Sequence, residues 1–210
     1  MRGVFRGGYQ IVERGIPHAW DPTLEYRGID RLPGPRSATV SPYGENPDLA
    51  PGENALWAAW WDAFYEDLLC DDRALCERLV RGAAHVGLSF EVLEYYLILE
   101  RVTRDPPIPM EDDPAGLMRG YAEVDQTPEA LESHPSFLGY DVSLPIPDYE
   151  SVFRLLGPPE IHDLFRKALN SVGLLNTVEE ALDVARVVGE GQGRPWRYTP
   201  VAILGDHAGR

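Results

Sequence analysis

The fold class depends on one apolar stretch, Phe90-Glu91-Val92-Leu93-Glu94-Tyr95-Tyr96-Leu97-Ile98-Leu99-Glu100-Arg101-Val102. The stretch is long enough to form a helix. It is also rich in aromatic and β-branched side chains, which pack well on a pleated sheet. We therefore predict a strand over residues 90–102.

Three further stretches have the pattern of strands. Leu138, Tyr140 and Val142 stand at alternate positions in residues 137–143, which predicts a strand with these three side chains on one face. We expect this strand to lie antiparallel beside the strand at 90–102. Residues 2–14 favour a short strand or hairpin, and residues 196–204 favour a last strand. These stretches together predict a small, mostly antiparallel sheet.

Helices are indicated where apolar residues recur at a spacing of three or four. The predicted helices cover residues 54–68, 71–86, 158–172 and 177–188. The last one begins with a capping box, because the Thr177 hydroxyl can accept from the backbone near Glu180 while that carboxylate reaches back. Glycines at 189, 191 and 193 are expected to end this helix and form a turn.

The sequence thus predicts an α+β fold in which helices pack on a small sheet and the connections are long and proline-rich. Between residues 22 and 52, prolines occur too often for a helix or a central strand. We expect a single domain over residues 1–210, with residues 1–52 forming an N-terminal strand and an extended wrap. A chain of 210 residues can build a core without disulfides or metals.

The charge balance restricts the classes of partner. With 34 acidic against 19 basic residues, the net charge of -15 repels phosphate backbones and anionic lipid headgroups. Nucleic acid and membranes are therefore not expected as partners. A secretory signal and a bilayer-spanning apolar run are not found in the sequence, so a soluble cytoplasmic protein is expected.

Catalytic and metal-binding motifs are not recognised. The five histidines do not form a two-histidine metal pattern, and His162 is expected to face solvent. Cys70 and Cys76 are expected to be buried, reduced thiols. The cluster Glu111-Asp112-Asp113 could bind a divalent ion, but its spacing does not match an EF-hand loop. No cofactor is predicted, and no catalytic or metal-ligating residue is assigned.

A candidate partner-binding segment runs from Asp105 to Glu132, where acidic residues alternate with apolar ones. Carboxylates around apolar anchors suit a basic protein surface, because charge speeds association and apolar groups hold the complex. A solvated acidic loop with a few core anchors explains the same pattern. A second candidate surface is the tryptophan cluster of Trp57, Trp60 and Trp61, whose packing inside the protein is the alternative explanation. The residues predicted to bind the partner are Glu111, Asp112, Asp113, Glu123, Asp125, Tyr121, Trp57 and Trp61.

Two phrases of the sequence carry a resemblance, 137–142 (FLGYDV) and 169–181 (LNSVGLLNTVEEA). Their order resembles small uncharacterised bacterial proteins grouped with the immunity proteins of polymorphic toxin systems. The resemblance extends over residues 90–204 at most, and Leu175 stands where an aromatic residue is usual. It implies binding rather than catalysis and assigns a function to no individual residue.

The sequence therefore leads to one hypothesis and two alternatives. The hypothesis is a non-enzymatic protein that neutralises or regulates a basic protein partner, such as a toxin. The first alternative is a small metal-dependent hydrolase whose acidic and histidine residues assemble in space. The second is a structural subunit of a larger bacterial assembly. The sequence does not fix the oligomeric state.

Overall fold

The computed structural model describes residues 2–28, 55–56, 58–60, 62, 69–85, 89–100, 122–144, 151–154, 159–193 and 198–205. The strands in these parts of the chain are β1 (Arg2–Glu13), β2 (Phe90–Glu100), β3 (Glu123–Val124), β4 (Phe137–Ser143) and β5 (Thr199–Leu204). The helices are α1 (Arg73–His85), α2 (Pro128–Glu132), α3 (Pro159–Phe165) and α4 (Val178–Gly191), and the described residues between 55 and 62 are helical as well. The predicted α+β class is confirmed.

The strands form one antiparallel sheet in the order β3-β1-β2-β5-β4. β1 pairs with β2 from Arg2, opposite Glu100, to Glu13, opposite Phe90, with a bulge between Arg6 and Gly8. The apolar stretch predicted as a strand is therefore the central strand of the sheet. β4 was expected beside it, but β5 lies between the two.

Two helices cover different ends of one face of this sheet. Leu79 of α1 packs with Phe90 and Ile11, and Val184 of α4 packs with Ile98 at the other end of β2. The opposite face holds a separate apolar cluster that includes Leu93, Tyr95, Leu97, Leu138, Val201 and Ile203. The side chains of β2 thus alternate between two buried faces, which explains why the stretch is apolar almost throughout.

Because of a bulge in β4, the prediction that Leu138, Tyr140 and Val142 share one face of the strand is wrong. Tyr140 and Val142 point towards α4, whereas Leu138 belongs to the cluster on the opposite face of the sheet. The register shifts between Phe137 and Gly139, so strict alternation is interrupted at this point. Gly139 has a φ of 143°, a conformation that favours glycine.

The predicted helix over residues 158–172 is shorter in the structure. It ends at Phe165, a 3-10 turn follows at Arg166–Ala168, and Leu169 has an extended backbone. Asn170 redirects the chain, because its side chain accepts from the amide of Val172 at 3.0 Å and donates to the Leu138 carbonyl at 2.8 Å. Such local side-chain hydrogen bonds compete with helical ones.

The capping box of α4 is confirmed, although the helix continues past Gly189 to Gly191. The Thr177 hydroxyl accepts from the amide of Glu180 at 3.3 Å, and the Glu180 carboxylate accepts from the amides of Thr177 and Asn176, each at 3.0 Å. Three backbone amides at the start of the helix region therefore have side-chain partners.

Replacing Thr177 with alanine is expected to lower the free energy of unfolding by about 1 kcal/mol, because the amide of Glu180 loses its acceptor. Urea unfolding followed by circular dichroism measures the change. Thr177→Ser keeps the hydroxyl and is the matched control, with an expected loss below about 0.5 kcal/mol. Equal losses for both variants would show that the hydroxyl does not act as a cap.

Candidate partner-binding surface

The structure describes two of the eight residues predicted to bind a partner. Glu123 and Asp125 are both exposed, at the edge of the sheet and just after it. The other six lie outside the described residues: Glu111, Asp112, Asp113, Tyr121, Trp57 and Trp61. The geometry of the candidate surface therefore comes from Asp125 and the elements that follow it, whereas Glu123 proves to lie apart from them.

β3 holds the first part of this surface against β1. Glu123 lies opposite Phe5 and Val124 opposite Val4, and the amide of Arg6 donates to the Ala122 carbonyl at 3.1 Å. Val124 packs against the apolar cluster of α4. Since side chains alternate along a strand, Glu123 faces the other side of the sheet, and the β3 pairing separates it from the acidic residues near α4.

α2 places an exposed carboxylate immediately after β3. The Thr127 hydroxyl accepts from the amide of Ala130 at 3.2 Å and caps the helix, with Pro128 in its first turn. Glu129 is exposed in that turn. Hydrogen bonds from its own backbone amide and from Thr127 hold the pKa of its carboxyl below the usual value, so it remains charged.

Glu132 joins α2 to α4. Its Oε1 accepts from the amide of Val178 at 3.0 Å, which satisfies one of the free amides at the start of α4. Glu179, in the first turn of α4, accepts from Arg2 Nη1 at 2.8 Å, and its side chain remains 67% exposed. The last residue of α2, the first turn of α4 and the start of β1 therefore meet at one place.

The phenol of Tyr140 is buried near the same three glutamates. Burial raises the pKa of Tyr140, and the charges of Glu132, Glu129 and Glu179 raise it further because each opposes a nearby phenolate. The hydroxyl donates to the Pro128 carbonyl at 3.3 Å, directly beneath the first turn of α2. One buried phenol thus lies within the field of all three carboxylates.

We call Glu129, Glu132 and Glu179, together with Asp125 just before α2 in the chain, the acidic surface. Asp125, Glu129 and Glu179 are exposed, whereas Glu132 is half-buried and occupied by the Val178 amide. The sequence hypothesis included Glu129 and Glu132 in the acidic segment but missed Glu179, which lies 47 residues after Glu132 in the chain. The capping box located the start of α4, but nothing local indicated that α2 would pack against it.

Metal ligands, membrane-spanning helices and thiols can each be assessed in the described residues. Groups of three or more histidine, cysteine or acidic side chains that could hold a metal ion do not occur in the parts that the structure describes. In the same parts, every helix is too short or too polar to cross a bilayer. Cys70 and Cys76 are both buried and form no disulfide with each other. Burial and the neighbouring Cys70 thiol raise the pKa of Cys76.

Comparison with known proteins gave no match to a family model, to a curated protein or to a solved structure. The resemblance to immunity proteins stays a prediction from two phrases of the sequence.

Proposed function

We propose that this chain is a non-enzymatic binding protein that neutralises or regulates a basic protein partner, in the manner of an immunity protein. The observation that carries the proposal is the acidic surface, where carboxylates from α2 and α4 gather around one arginine, Arg2. Glu111, Asp112 and Asp113 belong to the same proposed partner-binding set by their place in the acidic segment.

The fixed positions of the carboxylates support binding. Glu129 lies in a capped turn, and Glu179 is restrained by Arg2, so both lose less side-chain freedom than unrestrained glutamates on association. The pKa of the Glu129 carboxyl is lowered, which keeps this charge in place under mildly acidic conditions as well. A basic partner therefore meets negative charges that are already placed.

The net charge supports rapid and selective association. At -15, the chain attracts a positively charged protein from beyond contact distance and repels other acidic proteins. Attraction of this kind acts mainly on the association rate and is weakened by salt. Binding of a basic partner by such attraction is expected to weaken at high ionic strength.

Affinity capture from a lysate of the source organism tests the proposal with three baits. The baits are the natural chain, a surface variant (Asp125→Asn, Glu129→Gln, Glu179→Gln) and a control variant (Asp71→Asn, Glu77→Gln, Glu190→Gln). Each variant loses three exposed carboxylates, so both change the net charge from -15 to -12. The amides keep the side-chain shape, and circular dichroism checks that both variants fold.

The expected result is one basic protein that is retained by the natural chain and the control but not by the surface variant. Its retention is also expected to fall when the wash is raised to about 0.5 M salt, where exposed charges are strongly screened. If the surface variant and the control retain the same proteins in the same amounts, the acidic surface is not the binding site.

A further inference from the structure

Residues 16–26 form a small hairpin that follows β1 and carries its own hydrogen bonds. The amide of His18 donates to the Leu24 carbonyl at 3.0 Å, and the amide of Tyr26 donates to the Ile16 carbonyl at 2.8 Å. Pro17 and Glu25 face each other as an isolated bridge between these bonds. We call this unit the 16–26 hairpin. These two bonds and the bridge lie within the hairpin and do not involve the sheet.

One of the side chains that pack the hairpin against the core is an imidazole. His18 is 1% exposed, and its ring lies 5.5 Å from the ring of Phe153, 5.5 Å from that of Tyr26 and 6.1 Å from that of Trp20, between ring centroids. Gly173 lies against the ring edge, since a Cβ at this glycine would be 2.5 Å from His18 Cδ2. A histidine this tightly enclosed is solvated only if the hairpin leaves the core.

Hydrogen bonds specify the uncharged form of this imidazole. Nδ1 accepts from the amide of Trp20 at 3.0 Å and from the amide of Asp21 at 3.3 Å, so this nitrogen carries a lone pair and the proton resides on Nε2. Protonation would place an N–H at Nδ1 facing two other N–H donors. The docked hairpin therefore cannot hold an imidazolium without losing both bonds.

The charges around His18 do not reverse this preference. The pKa of His18 is lowered to about 4, mainly by burial and to a smaller extent by the nearby His162, against the opposing effects of Asp21 and the Gly173 backbone. Asp21 is itself paired with Arg166 at 2.9 Å, which divides its attraction between two cations.

The hairpin also contributes two aromatic side chains to the core. Trp20 and Tyr26 are 5% and 4% exposed and belong to the apolar cluster of α4, and the Trp20 ring lies 4.9 Å from that of Phe153 between centroids. Trp20 stacks on His162 of α3, with 4.8 Å between ring centroids and 18° between planes, so His162 does not face solvent as the sequence suggested. The ion pair of Asp21 with Arg166 is partly exposed. The Tyr26 hydroxyl donates to Asp141 at 2.7 Å where the hairpin returns to the core.

We propose that the 16–26 hairpin is an acid-released flap and that His18 is the group whose protonation releases it. The pKa of His18 has its ordinary value near 6.5 when the flap is undocked and is about 4 when the flap is docked. Because the docked pKa is the lower one, falling pH favours the undocked flap between these two values. By proton linkage, the undocked fraction rises about tenfold or more between pH 7.5 and pH 5.0.

Hydrogen exchange followed by mass spectrometry tests this at pH 7.5 and pH 5.0, with rates corrected for the intrinsic effect of pH. In the natural chain, the protection of residues 16–26 is expected to fall about tenfold or more, while β2 and β5 keep theirs. His18→Asn keeps an acceptor for the two amides and stays neutral. This variant is expected to exchange faster at both pH values, without the pH dependence.

Arg166→Gln is the matched control, because it weakens a surface contact of the flap and leaves His18 in place. It is expected to raise exchange modestly at both pH values and, unlike His18→Asn, to keep most of the pH dependence, which falls only slightly because Asp21 without Arg166 raises the pKa of the docked His18. Equal protection of the natural hairpin at the two pH values overturns the proposal. It is also overturned if β2 and β5 lose protection together with the hairpin, or if His18→Asn keeps the pH dependence.

Discussion

Replacing Glu91 with glutamine is expected to lower the free energy of unfolding by about 3 kcal/mol, because it leaves the buried guanidinium of Arg27 without its counter-charge. Glu91 lies on β2 and Arg27 just after the 16–26 hairpin, and both are almost completely buried. Arg27 donates from two nitrogens to the two carboxylate oxygens of Glu91, an arrangement that fixes both side chains.

The position of Arg14 makes a sharp control possible. Its guanidinium also donates to Glu91, at 2.9 Å, but its side chain is 27% exposed and remains in contact with water. Arg14→Gln is therefore expected to cost less than about 1 kcal/mol. Urea unfolding of both variants decides the matter. If Glu91→Gln costs no more than Arg14→Gln, the buried pair with Arg27 does not stabilise the fold in the way proposed.

Gly139→Ala is expected to cost about 3 kcal/mol or more, and it combines two sources of strain. The φ of 143° disfavours any side chain, and a Cβ here would lie 2.6 Å from the Leu175 carbonyl oxygen and 2.7 Å from Leu174 Cβ. The Leu175 carbonyl accepts from the amide of Tyr140 at 2.8 Å, so it cannot move aside without losing that bond.

A second glycine supplies the comparison for this substitution. At Gly191, the last residue of α4, an added Cβ would have no heavy atom within 4 Å. Gly191→Ala is expected to leave the stability unchanged or to raise it by up to about 1 kcal/mol, as alanine favours helix. Thermal unfolding ranks the two variants. A loss at Gly139 as small as the change at Gly191 would contradict the strain described for the bulge in β4.

The sequence predicted most elements of the fold because their signals are local. The content of aromatic and β-branched residues identified β2, and the capping box identified the start of α4. The errors arose where distant contacts override local pattern. Asn170 ends the α3 region by bonding to Leu138 of β4, and the bulge at Gly139 turns Leu138 to the other face. Neither partner is visible from the local sequence.

The candidate site was likewise predicted only in part from the sequence. The acidic segment could be found from its composition, and Asp125, Glu129 and Glu132 all lie within it. The contribution of Glu179 could not be predicted from the sequence. It depends on the hydrogen bond from the α4 amide of Val178 to Glu132 of α2 and on the ion pair between Glu179 and Arg2 of β1. His162 was expected in solvent for a similar reason, since Trp20 lies 142 residues earlier in the chain.

The most direct test of the central claim is the association rate of the captured basic partner with three forms of the chain, measured by surface plasmon resonance. The surface variant (Asp125→Asn, Glu129→Gln, Glu179→Gln) is expected to associate about tenfold more slowly than the natural chain at low salt. The control variant (Asp71→Asn, Glu77→Gln, Glu190→Gln) has the same net charge and is expected to stay within about twofold of the natural rate. Equal slowing of both variants would contradict the claim, since only the total charge, and not the acidic surface, would then direct the partner.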